Sequence, residues 1–257
     1  MISRPLPIAA LALTVAATAL AQTGDQRRSG FDDMSRDSQA LQRDDTANPG
    51  MLWVLDGEAL WSAKAGSADK SCADCHQDAA TTMKGVAARY PAFSPAHQRP
   101  LDLQGRINAC RETQQQATPF PFESKELLAL TAYVGKQSRG MPISPPDNAR
   151  LEPFRKRGEA LYSQRIGQLN FSCANCHDDN PGQKLASAVI PQGHPTGYPL
   201  YRLEWQSVGS LQRRFRGCFT GVRAEPYPYG AQEYVELELF LMSRAKGMHV
   251  ETPAVRP

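Results

Sequence analysis

The sequence predicts a mainly α-helical protein made of two tandem domains that are related by internal duplication. Three observations lead to this prediction. A C-x-x-C-H pentapeptide occurs twice, the flanking segments of the two copies also match, and each copy closes with an amphipathic helix. The chain has 257 residues, of which 41% are hydrophobic and 21% charged, which suits two soluble domains of ordinary size.

The N-terminus has the pattern of a secretory signal peptide. Arg4 supplies a positive charge, Ile8 to Leu20 form a short apolar stretch, and Ala19-Leu20-Ala21 is a small-residue cleavage site. A membrane anchor is the alternative, but the stretch is short for a bilayer. We therefore expect residues 1–21 to be removed and the mature protein to lack a membrane span.

The mature chain divides into three parts. Residues 22–48 are polar and rich in Asp and Arg, typical of a disordered segment or a partner contact. The first domain is expected over residues 49–147 and the second over residues 148–257, with Pro142 to Arg150 as linker. Loss of Arg4 lowers the net charge from +3 to +2, which is too small to indicate nucleic acid as a partner.

The two pentapeptides are Cys72-Ala73-Asp74-Cys75-His76 and Cys173-Ala174-Asn175-Cys176-His177. This spacing is the signature of covalent c-type haem attachment: the two thiols bond the haem, and the histidine becomes an axial iron ligand. One copy alone could be a zinc half-site or a thioredoxin-like redox pair. Two copies in an exported chain favour two cytochrome c domains, each with its own covalent haem c.

The matches extend beyond the pentapeptides. Gly57-Glu58-Ala59-Leu60-Trp61-Ser62 corresponds to Gly158-Glu159-Ala160-Leu161-Tyr162-Ser163, and both predict short helices with an aromatic residue toward the haem. The closing helices are expected from about Ser124 to Gln137 and from about Ala231 to Ala245. Gly140 and Gly247 follow them as candidate C-terminal caps.

The remaining two cysteines, Cys110 and Cys218, are also matched between the repeats. Leu103, Arg106, Ile107 and Cys110 share one helix face, and so do Leu211, Arg214, Phe215 and Cys218. Each cysteine therefore points toward the interior and its haem. We expect thiolate ligation, by Cys110 at the first iron and by Cys218 at the second, and low potentials for both haems.

Three alternatives stay open for these cysteines. They could form a disulfide with each other, or they could be inert buried thiols. Third, the repeat-matched Met141 and Met248 could be the axial ligands, although they follow the last helix instead of lying in the usual ligand loop.

The surroundings of Cys218 are more basic than those of Cys110. Arg213, Arg214, Arg216 and Arg223 lie near it in sequence, and Arg244 is aimed at the interior edge of the last helix. Basic neighbours lower the pKa of a thiol and attract small anions. A solvated helix face and a C-terminal cation are the alternative interpretations, and Arg106 in the first repeat suggests a role toward haem propionates.

The chain resembles the A subunit of the Sox thiosulfate-oxidising system, a dihaem cytochrome c and L-cysteine S-thiosulfotransferase. The resemblance covers nearly the whole mature chain. It rests on both pentapeptides and on three further stretches: Arg106-Ile107-Asn108-Ala109-Cys110, Arg214-Phe215-Arg216-Gly217-Cys218 and the tail from Tyr234 to Arg256.

This resemblance implies a periplasmic enzyme that joins thiosulfate oxidatively to a cysteine on the C-terminal arm of the Sox carrier protein. It implies that Cys218 is a persulfide-type catalytic ligand, that Cys110 ligates the other haem, and that Arg214 and Arg244 belong to the active site. A small monohaem cytochrome, the X subunit, is the implied electron-accepting partner.

Rival functions make different demands on substrate and site. A thiosulfate dehydrogenase would form tetrathionate without a carrier thiol. A plain electron-transfer cytochrome would tolerate loss of Cys218. A dihaem peroxidase needs an open iron position, which two strongly ligating cysteines argue against.

Overall fold

The computed structural model describes residues 25–186 and 188–257. The predicted signal peptide, residues 1–21, lies outside the described residues. The α-helices of the described part are α1 Arg36–Arg43, α2 Met51–Ser62, α3 Cys72–His76, α4 Ala79–Thr82, α5 Leu103–Cys110, α6 Lys125–Lys136, α7 Glu152–Ser163, α8 Cys173–His177, α9 Leu211–Gly221 and α10 Gln232–Arg244. The strands are β1 Ala92–Ser94, β2 Arg99–Leu101, β3 Lys184–Leu185, β4 Ala188–Val189, β5 Leu200–Arg202, β6 Ser207–Gly209 and β7 Ala254–Arg256.

Each repeat is built on a pair of crossing helices, α2 with α6 and α7 with α10. A glycine makes each close crossing possible. A Cβ on Gly57 would lie 2.2 Å from the carbonyl oxygen of Ala129, and one on Gly158 would lie 2.0 Å from that of Glu236. Both N-terminal helices are longer than the short helices predicted from the sequence, because the helix begins upstream, at Met51 and Glu152.

The attachment helices α3 and α8 follow directly on serine caps. Ser71 accepts a hydrogen bond from the Asp74 amide, and the Asp74 carboxylate accepts one from the Ser71 amide; Ser172 and Asn175 repeat this arrangement. Such capping boxes stabilise helices that are too short to be stable alone. The local sequence therefore sets the start of each attachment helix.

A short antiparallel hairpin precedes each cysteine-bearing helix. Strands β1 and β2 lead into α5, and β5 and β6 lead into α9. The second repeat adds β7, which pairs parallel to β5, and the small β3–β4 hairpin. That hairpin falls in a longer interval, since Cys218 lies 41 positions after His177 (218 − 177), whereas Cys110 lies 34 positions after His76 (110 − 76).

The two repeats exchange backbone hydrogen bonds where their closing helices end. The Ile143 amide donates to the Met248 carbonyl oxygen at 2.7 Å, and the Gly247 amide donates to the Ile143 carbonyl oxygen at 2.8 Å. Met248 packs in the same apolar cluster as Ile143. The predicted linker thus begins inside a domain–domain contact. Of the described helices, none is long and apolar enough to cross a membrane.

Residues 25–48 pack against the second repeat, although their polar composition suggested disorder or a partner contact. Helix α1 contacts β7. The Gln42 side chain accepts a hydrogen bond from the Val255 amide at 3.0 Å, and Asn48 donates to the Pro253 carbonyl at 2.9 Å. These polar side chains satisfy backbone groups of the C-terminal strand, so a polar segment is ordered without a large apolar face.

Candidate functional site

The second attachment helix forms one wall of a cavity of about 920 Å³, a volume that includes its open mouth. Cys173, Cys176 and His177 line this wall, and Cys218 lies in the lining contributed by α9. The rest of the lining is mainly apolar and includes Tyr162, Ile166, Phe171, Leu211, Phe215, Phe219, Leu237 and Leu241. A large apolar cavity with two adjacent thiols, an imidazole and a further thiol fits a covalently bound haem.

His177 is held in one tautomer. Its Nδ1 lies 2.7 Å from the carbonyl oxygen of Pro191, which can only accept, so Nδ1 carries the proton and Nε2 is left to ligate a metal. Gly193 approaches the ring closely, since a Cβ there would lie 3.2 Å from Cγ of His177. The imidazole is thus oriented by the loop that follows the β3–β4 hairpin.

Cys218 lies on the interior face of α9, together with the buried Leu211 and Phe215, as the helical spacing predicted. Burial raises the pKa of its thiol, but the His177 side chain and the positive charge of Arg214 outweigh burial, and the pKa falls below its ordinary value. Cys218 and His177 both line the cavity, and a thiol and an imidazole are both residue types that would ligate a haem iron.

Arg214 also lines the cavity, one helical turn before Cys218. Its guanidinium makes no ion pair and no hydrogen bond with the described residues. Burial lowers its pKa, but the Cys218 and Tyr198 side chains more than compensate, and the pKa is raised. A charged guanidinium without a protein partner in a half-buried cavity is suited to bind an anion.

Arg244 does not line the cavity. It forms an ion pair with Asp178, with Nη2 to Oδ1 at 2.6 Å, and its guanidinium lies 4.7 Å from the Tyr162 ring centre. The Tyr162 hydroxyl donates to the same carboxylate at 2.8 Å. Arg244 is therefore held beside the attachment helix, because its partner, Asp178, directly follows His177. The corresponding residues of the first repeat are glutamines, Gln77 and Gln137.

Two other arginines near Cys218 in the sequence stack on aromatic side chains of the second repeat. Arg213 stacks on Trp205 at 4.4 Å, and Arg216 stacks on Tyr229 at 4.6 Å. Neither lines the cavity, which agrees with the alternative interpretation of these two as a helix face. The sequence analysis missed Arg202 of β5, whose charge also lowers the pKa of Cys218.

The first repeat places Cys110 near the attachment motif in a more open setting. Burial first, and then the nearby Cys110, raises the pKa of the Cys72 thiol, so α5 ends beside the attachment helix. His76 is exposed and its ring centre lies 5.8 Å from that of Trp61. Arg106, the counterpart of Arg214, is exposed.

No disulfide joins any two of the six cysteines, so Cys110 and Cys218 are not paired with each other. The alternative ligands Met141 and Met248 do not line the second cavity. Met141 approaches Gly85, and Met248 packs in the cluster between the repeats.

The sequence analysis missed two tyrosines that occupy matched positions in the two repeats. Tyr198 lines the second cavity and lies near Cys218 and Arg214, whereas Tyr90 lies near Cys110 and Arg106. Each tyrosine precedes its cysteine by 20 residues (218 − 198 and 110 − 90) and is followed by proline. That repeated Tyr-Pro pair was a signal in the sequence. Its presence in both repeats indicates a role in packing beside each cysteine-bearing helix.

Known proteins match both halves of the chain. A family profile described as SoxA/TsdA, cytochrome c domain, matches residues 56–143 and 157–250. L-cysteine S-thiosulfotransferase subunit SoxA of Pseudaminobacter salicylatoxidans is 40% identical over 233 residues, which is 90% of this chain and 82% of the relative. The subunit SoxA of Rhodovulum sulfidophilum is 35% identical over 237 residues, covering 92% and 83% of the two chains. The crystal structure of SoxXA from P. pantotrophus aligns with a TM-score of 0.86 at 32% identity, covering 90% of this chain and 87% of that one.

Proposed function

Because this chain belongs to the SoxA family of cytochrome c proteins, whose curated members are subunits of L-cysteine S-thiosulfotransferases, we propose that it conjugates thiosulfate to a cysteine of a sulfur-carrier protein. The terminal sulfur of thiosulfate bonds to the carrier sulfur. The carrier thiol loses one proton, and two electrons leave the sulfur pair. The product is a carrier S-thiosulfonate.

One observation carries this proposal: Cys218 shares an apolar cavity with the second haem-attachment motif and with the unpaired guanidinium of Arg214. A dianionic substrate needs such a cation, because a charged guanidinium offers it both attraction and directed hydrogen bonds.

Membership of a cytochrome c family implies covalently bound haem c, and we propose two haems per chain. Cys72 and Cys75 would attach the first, with His76 and Cys110 as axial ligands. Cys173 and Cys176 would attach the second, with His177 and Cys218 as ligands. When bound, the second haem supplies the acceptor for the electrons that the sulfur atoms lose.

The protein residues account for substrate binding and for sulfur transfer. Arg214 would hold the thiosulfate anion next to the Cys218 sulfur. Cys218 would act as a covalent relay: its sulfur bonds thiosulfate with the loss of two electrons, and the carrier thiolate then displaces Cys218 and takes the thiosulfonate. Arg244 would contribute guanidinium donors at the edge of the site, in an orientation fixed by its ion pair with Asp178.

The proposed partners follow from the family and its solved complex. The neighbour SoxXA contains an X subunit, and a small monohaem X-like cytochrome is the proposed electron acceptor of this chain. The second partner is a carrier of the SoxYZ type with a cysteine on its C-terminal arm. The proposed location is the periplasm, in accord with the predicted signal peptide.

The first experiment is peptide mass spectrometry of Cys218 on protein purified without reductant, digested under acidic, non-reducing conditions. We expect additional sulfur on Cys218 and none on Cys110. A Cys110–Cys218 cross-link would refute both the thiolate ligation and the relay.

An assay with and without carrier protein separates the rival functions. We expect thiosulfate oxidation to require the carrier thiol and to be lost in Cys218→Ser, with Cys110→Ser as the matched control that keeps most of the activity. Tetrathionate formed in the absence of carrier would instead identify a thiosulfate dehydrogenase. Unchanged sulfur turnover in Cys218→Ser would identify a plain electron carrier.

A further inference from the structure

The loop Pro191–His194 lies between His177 and the N-terminal segment of the chain. On one side, the Pro191 carbonyl and Gly193 contact the His177 ring, as described above. On the other side, the same loop contacts residues 25–30, which we call the N-terminal strap. The strap is thus one layer removed from the histidine.

Three hydrogen bonds join the strap to this loop. The Arg28 amide donates to the Gln192 side chain at 2.7 Å, and Gln192 Nε2 donates to the Gln26 carbonyl at 3.3 Å. His194 Nδ1 donates to the Arg28 carbonyl oxygen at 3.0 Å. All three bonds include a backbone group of the strap. The position of the loop therefore depends on where the strap backbone is held.

Arg27 holds that backbone against the end of α10. Its Nη1 donates to the carbonyl oxygens of Arg244 and Lys246, at 2.8 and 2.9 Å. A guanidinium at a helix C-terminus satisfies carbonyls that have no partner within the helix and interacts favourably with the helix dipole. Asp25 forms an ion pair with Arg27 at 2.7 Å and orients it.

The first repeat has no equivalent of this arrangement. The His76 ring makes no hydrogen bond with the described residues, and the interval that contains the loop is seven residues shorter there (41 − 34). The loop and the Asp178–Arg244 pair belong to the second repeat, and the strap packs against that repeat. This asymmetry connects the strap with the repeat that carries Cys218.

We propose that the N-terminal strap is a positioning element of the second site: Arg27 fixes Arg28, Arg28 fixes the Pro191–His194 loop, and the loop fixes the imidazole of His177. The inference rests on the proposed function in so far as His177 is taken as a haem ligand. Arg27 does not line the cavity, so it acts on the site as a positioning residue, through the loop and through its contact with the Arg244 carbonyl.

The test compares Arg27→Ala with Arg27→Lys in the haem-loaded full-length protein, and uses Arg36→Ala as a matched control. Arg36 is exposed on α1 of the same N-terminal segment and has no described partner. We expect Arg27→Ala to speed amide hydrogen exchange over residues 188–197 roughly tenfold, because two charged hydrogen bonds are lost. Lysine, which keeps a cationic donor, should restore most of the protection.

The second measurement is the electron paramagnetic resonance spectrum and midpoint potential of each haem. We expect Arg27→Ala and Gln192→Ala to change the signal and potential of the second haem and to leave the first unchanged. Wild-type exchange rates together with an unchanged second haem in the folded variants would overturn the proposal, as would equal changes at both haems.

Failure of the proposed function gives a different result. If the wild-type spectrum shows no histidine–thiolate ligation at the second haem, the ligand assignment fails. The effect of Arg27→Ala on exchange over residues 188–197 would still test the strap, since that readout depends only on hydrogen bonds of the chain.

Discussion

Arg214 and Arg106 occupy the same position in the two repeats and meet different surroundings. Arg214 is half-buried in the second cavity beside Cys218, whereas Arg106 is exposed. A guanidinium that is shielded from water attracts an anion more strongly than one that water and salt screen. The duplication therefore supplies an internal comparison for the chemistry of a single residue.

Arg214→Gln is expected to raise the KM for thiosulfate at least tenfold, because a charge-assisted hydrogen bond to the anion is worth roughly 1.5–3 kcal/mol. Steady-state kinetics with a fixed carrier concentration measure this change. Arg106→Gln is the matched control and should leave the KM within about twofold. Equal effects of the two substitutions on the KM would indicate that each arginine interacts with the haem of its own repeat instead of with thiosulfate.

At the scale of the elements, each domain depends on how closely two helices cross. Gly158 allows the backbone of α7 to rest on the backbone of α10, and Gly57 does the same for α2 and α6. Side chains around the crossing then fill the core, with Tyr162 against Phe240 at a ring distance of 5.3 Å in the second repeat. The aromatic wall of the cavity is positioned by this crossing.

Gly158→Ala is expected to destabilise the protein by about 2–3 kcal/mol, because the new methyl group would overlap a backbone carbonyl that cannot rotate away. Chemical denaturation of the haem-loaded protein measures the free energy of unfolding. Gly217→Ala is the matched control. It lies inside α9 with no atom within 4 Å of the added Cβ, and should stabilise by about 0.5–1 kcal/mol.

At the scale of the whole molecule, the contact between the two repeats contains polar side chains. Asp102, the N-cap of α5, accepts hydrogen bonds from the Gly105 amide at 2.7 Å and from the Gln212 side chain at 2.8 Å. Glu238 of α10 faces the same narrow cavity between the repeats. Burial raises the pKa of both carboxyl groups, and the charge of Asp102 raises that of Glu238 further, well above its ordinary range.

This arrangement predicts a pH dependence of stability. The folded protein retains the Glu238 proton at pH values where the unfolded chain has released it, so stability falls as pH rises from the ordinary glutamate pKa toward the raised one. Arg99, which favours ionisation of Asp102, does not reverse this sign, because the pKa of Asp102 remains raised.

Glu238→Gln should therefore increase the free energy of unfolding relative to the wild type, and the gain should grow with pH from acid to neutral conditions. Urea titrations across that pH range measure it. Glu233→Gln, an exposed substitution on the same helix, is the control and should change the free energy of unfolding by less than about 1 kcal/mol. If the gain in the free energy of unfolding became smaller as pH rises, it would contradict the conclusion that the folded protein keeps Glu238 protonated.

The sequence by itself determined the features that are written in consecutive residues. The attachment motifs, their serine caps, the duplication and the helix face shared by Arg214 and Cys218 all follow from spacing, because 3.6-residue periodicity and local hydrogen bonds operate over a few positions. The mainly helical two-repeat fold was predictable for the same reason, and it is confirmed.

Only the tertiary structure decided which distant residues meet. The pairing of Arg244 with Asp178, the contact of Arg27 with the end of α10, and the meeting of Asp102 with Glu238 join residues more than 60 positions apart. A side chain's surroundings at such distances depend on how whole helices pack, and helical spacing carries no such information. The helical periodicity could thus place Arg244 on the interior side of α10. Its partner, Asp178, depended on how α10 packs within the second repeat.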